Sequence, residues 1–216
     1  MDADKPFDRR LRRLRRDRAA RGFADYLHRH AAEELLERLD LVKRDFAAAL
    51  DLGTGDGRLA ARLRERGIAV TAADPGYAFA ARAGGVQCDE DRLPFADGSF
   101  DLVTSVGTLD GVNDLPGALV LIRRALRPDG LFLAAFAGAG SLPRLRAAMA
   151  AADEAQGAAS AHIHPQIDVR AAGDLLMRAG FALPVVDTDT IAVRFPHLIA
   201  LVRDLRAMAA TNILAS

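Results

Sequence analysis

The stretch ALDLGTGDGRLAARL, Ala49 to Leu63, decides the fold. A short apolar run ends in Asp51. Gly53, Gly55 and Gly57 follow at every second position, and an Arg/Leu/Ala helix pattern then begins. Strand, glycine loop and helix in that order form a site in which the chain turns sharply. Without Cβ atoms, backbone N–H groups can be brought against a ligand. A dinucleotide fingerprint needs Gly-x-Gly-x-x-Gly, but the residue three after Gly55 is Arg58. No Lys-Ser/Thr follows, which excludes a phosphate-cradling P-loop. The loop supplies no fixed cation for a pyrophosphate. It suits a nucleoside that carries an amino acid.

Working outward, apolar runs and helical periods alternate. The spacing predicts strands over 46–52, 68–74, 86–89, 100–106 and 130–136, then two more over 183–189 and 190–195. It predicts helices over 8–21, 23–43, 58–66, 75–83, 115–126, 141–155 and 168–179, and a helical tail from Pro196. This alternation implies crossover units and a mostly parallel sheet covered by helices on both faces. The last two strands are joined closely, so one of them is expected antiparallel at the edge. The organisation reads as an N-terminal helical lid over 1–45, an α/β domain over 46–195 and a C-terminal helix over 196–216.

Ligands of open parallel sheets bind at the carboxyl ends of the strands, where the strand order reverses. Two further carboxylate positions fall at such ends. Asp74 closes the second strand, 23 residues after Asp51. A carboxylate there can accept both hydroxyls of a ribose. Asp89-Glu90 closes the third strand and can accept from an exocyclic adenine amine, with Leu93, Pro94 and Phe95 walling the ring. Blander roles stand beside these: a tight turn for the glycines, a helix cap for Asp74 ahead of Pro75, and a solvated side chain for Asp89. Three markers at three successive strand ends favour the binding reading.

The bulk composition sets limits. The chain has 216 residues, 50% apolar and 27% charged, with formal net charge zero. That balance argues against a dedicated nucleic-acid binder. The charge is uneven: of 29 basic and 29 acidic residues, ten and five fall in the first thirty, so the remainder is acidic by five. The single cysteine, Cys88, forms no internal disulfide and suits a reducing, cytoplasmic compartment. No apolar run approaches the ~20 residues of a membrane helix. The N-terminus lacks the apolar segment of a secretory signal, and its Asp content sets it apart from a transit peptide.

DLGTGDG (51–57), Asp74, DEDRLPF (89–95), SFDLV (99–103) and LRPDGLF (126–132) together resemble the class I S-adenosylmethionine (SAM)-dependent methyltransferases. The resemblance implies a Rossmann-like, seven-stranded, mostly parallel sheet in the order 3-2-1-4-5-7-6, with helices on both faces. SAM then lies over the glycine loop, with Asp74 on the ribose and Asp89 on the adenine. The cofactor-binding set it implies is Asp51, Gly53, Thr54, Gly55, Gly57, Asp74, Pro75, Asp89, Glu90 and Ser105, and S-adenosylhomocysteine (SAH) is the expected product.

FDRRLRRLRRDRAA (7–20), VNDLPGAL (112–119), GSLPRLR (140–146) and LLMRAGFALPVVDTD (175–189) resemble one subgroup. It holds the biotin-pathway malonyl-carrier-protein methyltransferases and the mitochondrial complex I assembly factor that acts as a protein arginine hydroxylase. Where that subgroup carries a His-Trp or Gln-Trp pair on the substrate side, this chain has Asp110-Gly111. Thr54 stands where Cys is common, and relatives continue past the position of Ser216.

Methyl transfer from a sulfonium asks the protein mainly to align the groups and exclude water. The catalytic residue is not identified by the sequence; the candidates are Asp110, in an Asp-Gly turn, and Tyr26, on a helix that could fold over the pocket. Asn113-Asp114 read as a helix cap. His28, His30, His162, His164 and Asp168 lack the spacing of a two-His-one-carboxylate iron site, and no metal is expected. The basic N-terminal helix has three readings: a solvated face paired with the acidic remainder, a dock for an acidic protein or an anionic membrane surface, or a nucleic-acid grip. The first is preferred, and the last lacks interleaved aromatics. Two function classes follow. One is a SAM-dependent methyltransferase acting on a small-molecule, carrier-bound or protein acceptor. The other is an assembly factor that binds SAM and recognises a respiratory-complex subunit, with hydroxylase or no catalytic activity.

Overall fold

The computed structural model describes residues 5–157 and 164–215. Its helices are Arg9–Ala19 (α1), Tyr26–Asp40 (α2), Arg58–Glu65 (α3), Tyr77–Arg82 (α4), Leu115–Ala125 (α5), Pro143–Gln156 (α6), Val169–Arg178 (α7) and Leu198–Ala207 (α8). Its strands are Ala48–Leu52 (β1), Ala69–Asp74 (β2), Val86–Gln87 (β3), Phe100–Val106 (β4) and Leu126–Ala135 (β5).

The strands form one parallel sheet in the order β3-β2-β1-β4-β5. β1 is central and buried on both faces, which is why it reads as an apolar run interrupted only by Asp51. Successive side chains alternate between two cores. Leu50, Leu52 and Val103 pack toward α5 through Leu119 and Ile122. Ala49, Leu102 and Val106 pack toward α2 and α3 through Leu35, Leu36, Leu59 and Leu63. The strand order reverses between β1 and β4, so the loop after β1 opens at the switch point where such sheets take ligands.

The expected strands over 183–189 and 190–195 do not form, so the described sheet has five strands rather than seven. A strand needs a neighbour to satisfy its N–H and C=O groups, and no ladder reaches this segment. Leu183 and Val185 are 93% and 86% exposed. Instead, Asp187 and Asp189 reach across to α2, pairing with Arg38 at 2.9 Å and His30 at 3.1 Å. The RPDG turn persists as a bulge in the β4–β5 ladder, with Asp129 at φ 61°. The two chain ends also meet: Phe7 bridges Leu214 antiparallel, and the Asp8 N–H donates to the Ile213 carbonyl at 2.8 Å.

Candidate functional site

Gly53, Gly55 and Gly57 all adopt left-handed backbone, at φ 79°, 56° and 80°. Gly53 is also a close approach, since a Cβ there would lie 2.2 Å from Thr108 Cγ2. The N–H groups do not face a ligand as the sequence suggested. Those of Gly53 and Thr54 donate to the Ala73 carbonyl at 2.7 and 3.0 Å, that of Gly55 to Asp74 Oδ2 at 3.0 Å, and that of Gly57 to the Thr54 carbonyl at 3.0 Å. The loop therefore folds onto the end of β2. Asp51 is buried beneath it, accepting from Thr54 Oγ1 at 2.7 Å and Thr104 Oγ1 at 3.0 Å. Burial pushes its carboxyl up to about 6, against the two hydroxyls that favour the charged form.

Asp74, Asp89 and Glu90 are buried at adjacent strand ends. Each is met by an arginine of α1. Arg16 grips Asp74 through Nε at 2.7 Å and Nη2 at 2.6 Å. Arg12 grips Glu90 at 2.6 and 2.9 Å and donates to the Thr108 carbonyl at 2.8 Å. Arg13 reaches Asp89 Oδ2 at 2.5 Å, and Arg9 pairs with Asp91. Positions 9, 12, 13 and 16 share one helix face, so the buried stripe of α1 is arginine where most helices present leucine. Burial opposes the charge on Arg12, but Glu90 outweighs it and the guanidinium pKa is raised. One oxygen of the row stays free: Asp89 Oδ1 is buried without a hydrogen-bond partner.

The other expected site residues are placed as follows. Pro75 sits behind Asp74, its carbonyl accepting from Gln87 Nε2 at 2.9 Å. Ser105 is the penultimate residue of β4, its hydroxyl 3.2 Å from Thr108 Oγ1. Asp110 lies in the 3-10 turn Leu109–Gly111. Burial raises its carboxyl pKa, while Arg12 and His164 favour the charge. Tyr26 is engaged by the C-terminal helix: its hydroxyl donates to Asp204 Oδ2 of α8 at 2.7 Å. Burial and Asp204 raise it to about 12, so it is a tether with no phenolate at neutral pH. Asp114 does cap α5, accepting from the Gly117 N–H at 2.8 Å. Asn113 does not: its amide exchanges two hydrogen bonds with the Phe7 backbone, at 2.8 and 3.0 Å. His162 lies outside the described residues.

Sequence reasoning missed two things. The first is the arginine stripe, whose 9/12/13/16 spacing matches the acidic 89–91 run and Asp74. The second is His28, which lines a cavity of about 20 Å³ with Asp51, Gly53, Thr54 and Asp56. No sequence signal distinguished it from a surface histidine. Burial first, and Arg16 second, lower its imidazole to about 4, so it is neutral at pH 7.

Comparison with known proteins accords with this geometry. Residues 50–134 match the family model described as a methyltransferase domain. The mitochondrial arginine-hydroxylase NDUFAF5 of Rattus norvegicus is 37% identical over 95% of this chain and 64% of its own length. The malonyl-acyl-carrier-protein O-methyltransferase of Laribacter hongkongensis is 36% identical over 91% of this chain and 72% of its own. A SAM-dependent methyltransferase structure from Thermotoga maritima superposes with TM-score 0.54 at 23% identity, over 73% of this chain and 74% of that one; it supports the fold alone. The chain thus spans about two thirds of the length of these curated relatives. It belongs to the class I SAM-dependent methyltransferase family, in the group that joins these arginine hydroxylases and carrier-protein methyltransferases.

Proposed function

We propose that the chain binds SAM in the cleft between the carboxyl ends of β1, β2 and β3 and helix α1, and transfers its methyl group to an acceptor. The observation that supports this is the row of buried carboxylates Asp74, Asp89 and Glu90, whose one free oxygen, Asp89 Oδ1, is an unused acceptor suited to an adenine amine. The residues present fit the cofactor: Asp74 for a ribose diol, Asp89 for the base, and Asp51 beneath the glycine loop for the ammonium end. When bound, the sulfonium supplies an activated methyl group. The chain's own residues then bind, orient and exclude water.

The cleft is closed in the structure. Arginines of α1 occupy the acidic strand ends, and the neighbouring cavity lined by His28, Asp51 and Thr54 holds only about 20 Å³. Arg16 already fills the hydrogen-bonding capacity of Asp74. SAM therefore enters in exchange for α1, whose buried residues are Arg12, Arg16 and Ala19. Helix α2, anchored by Ala32, Leu35, Leu36 and Leu39, stays in place. Within the 1–45 extension α1 is then the moving lid over the 46–195 domain and α2 its fixed base, with 196–216 bracing α1.

The acceptor is a small molecule, a carrier-bound acyl group or a protein side chain. No helix among the described residues is long and apolar enough to cross a membrane. The cytoplasm is the compartment we propose, on the single buried thiol of Cys88. Asp110-Gly111 supports a second reading. An acid in a tight turn beneath Arg12 replaces an aromatic wall, which suits a respiratory-complex assembly factor that binds SAM and hydroxylates arginine or only binds.

Calorimetry with SAM tests the site. Asp74→Ala, made on an Arg16→Met background so that no guanidinium is stranded, is expected to abolish binding; unchanged affinity would refute the assignment. Labelled SAM with cell extract then separates the two readings. Methyl incorporation supports the transferase. Tight binding without transfer, together with capture of a complex I subunit, supports the assembly factor.

A further inference from the structure

Among the described residues four buried side-chain atoms lack partners; two are the Nε atoms of Arg9 and Arg13, whose guanidinium ends are paired, and the other two lie at opposite ends of the cleft. One is Asp89 Oδ1, beyond β2. The other is His28 Nε2, over β1 and β4. Buried polar atoms are almost always hydrogen-bonded in folded chains, so each orphan calls for a cause. His28 belongs to the first turn of α2, one turn before Ala32, which is fixed in the core. Its ring rests edge-on against Phe23 at 4.8 Å. Nε2 lies against the end of β4, so close that a Cβ added to Gly107 would sit 2.4 Å from it. Gly107 adopts φ +67° and gives its own N–H to the Ala135 carbonyl at 2.7 Å. The strand end is bare on that side, and no backbone acceptor there meets the imidazole Nε2.

The order of the strand termini says what His28 faces. The base carboxylate lies past β3 and the ribose carboxylate at β2, so the next part of the same ligand lies over β1 and β4. That part of SAM is an amino acid, with an ammonium and a carboxylate. Asp51, on the floor of the cavity that His28 lines, has the charge to meet the ammonium. The N–H groups of Gly53, Thr54 and Gly55 are already used within the fold, and Arg29 and Arg58, which also line the cavity, pair with Asp25 at 4.0 and 2.9 Å, so the unpartnered nitrogen there is His28 Nε2.

We propose that His28 is a positioning residue, whose Nε2–H donates to the carboxylate at the amino-acid end of SAM. This rests on the SAM reading above. The donor is a neutral imidazole, so the contact is a hydrogen bond rather than an ion pair, and the glutamine amide, whose nitrogen reaches a similar place, can replace it. Because α2 is held by leucines and α1 by ion pairs, His28 keeps its position when α1 gives way.

The test compares two ligands by calorimetry. SAH carries the amino-acid end; 5′-methylthioadenosine has the same adenosine and thioether without it. In His28→Ala, SAH binding is expected to weaken roughly tenfold, the worth of one hydrogen bond to a charged group. Methylthioadenosine should stay within about twofold, and His28→Gln should restore most of the SAH affinity. In the unmodified protein, the imidazole nitrogen resonances of His28 should shift on adding SAH and not on adding methylthioadenosine, a readout that does not depend on the variant folding. An equal loss of both ligands in His28→Ala, or a His28 spectrum indifferent to SAH, would overturn the assignment while leaving SAM binding intact. Failure of the unmodified protein to bind either ligand would remove both readings together.

Discussion

Arg16 and Asp74 meet at the end of β2 with every carboxylate lone pair engaged. The guanidinium approaches at 2.7 and 2.6 Å, and the Gly76 and Gly55 N–H groups donate at 2.7 and 3.0 Å. A ribose diol and Arg16 cannot both have that carboxylate. Under the proposed SAM reading, the contact that holds α1 on Asp74 competes with the ligand.

The first prediction follows directly. Arg16→Met keeps an apolar stem over Phe79, whose ring the guanidinium now covers at 5.2 Å. It leaves Asp74 buried without its partner, a change that typically destabilises by about 3 kcal/mol. The ligand-free variant should therefore melt earlier than the parent. Its affinity for SAH should rise about tenfold, because the diol relieves the stranded charge instead of displacing a paired one. Equal or weaker SAH affinity would show that α1 does not compete.

A second prediction concerns pH. The folded chain holds the Asp51 proton up to about pH 6, whereas an unfolded carboxyl releases it near 4. Between these values the folded state carries the extra proton, so the Asp51 contribution is present at low pH and lost as pH rises through 6, by about 3 kcal/mol. His28 acts in the opposite sense. It stays neutral down to about 4, while the unfolded imidazole protonates near 6.5. Its contribution is present above 6.5 and is lost as pH falls. Arg16 faces it and lowers its pKa, while Asp25, Asp56 and Asp74 raise it. The two slopes nearly cancel in the parent. Urea titrations should show Asp51→Asn losing stability on acidification from pH 7 to 4.5, and His28→Gln gaining it.

Tyr26→Phe separates tether from catalyst. Removing a phenol that donates to Asp204 should lower stability by about 1 kcal/mol. SAH affinity should stay within about twofold, because the ring lies on the α8 side of α2. A large loss of affinity with stability unchanged would return Tyr26 to the site.

Most of the sheet and its candidate ligand-binding end can be read from residues 49–106, because apolar runs closed by carboxylates recur locally and the glycine loop follows the first of them. What escaped the reading was decided over long distances. Leu183 and Val185 alternate like strand residues, yet no described ladder reaches them. Asn113 looks like a cap beside Asp114 but is fixed by Phe7, 106 residues away. The arginines of α1 look like a solvated face, and their partners are scattered over 74–91. The preferred expectation, pairing with the acidic remainder, is met, but Arg12 and Arg16 pair in the interior rather than in water. Periodicity reports which residues share a face; it does not say what that face meets.

Gly53 carries the last prediction, since it couples the glycine loop to α1. Alanine there is strained twice. The backbone stands at φ +79°, and the new Cβ would fall 2.2 Å from Thr108 Cγ2 and 2.4 Å from its Oγ1. Left-handed backbone in a non-glycine residue costs on the order of 1 kcal/mol, and overpacking about 1–3 more. Thr108 cannot yield freely, because it is buried and its carbonyl accepts from Arg12. Pushing it aside loosens the Arg12–Glu90 contact and hence the helix above. Gly53→Ala should therefore lower the urea midpoint and speed hydrogen exchange across α1 more than across α2. Adding Thr108→Ser, which deletes the clashing Cγ2, should recover part of both effects but not the backbone strain. A midpoint unmoved by Gly53→Ala, or exchange raised equally in the two helices, would show that the loop does not brace α1.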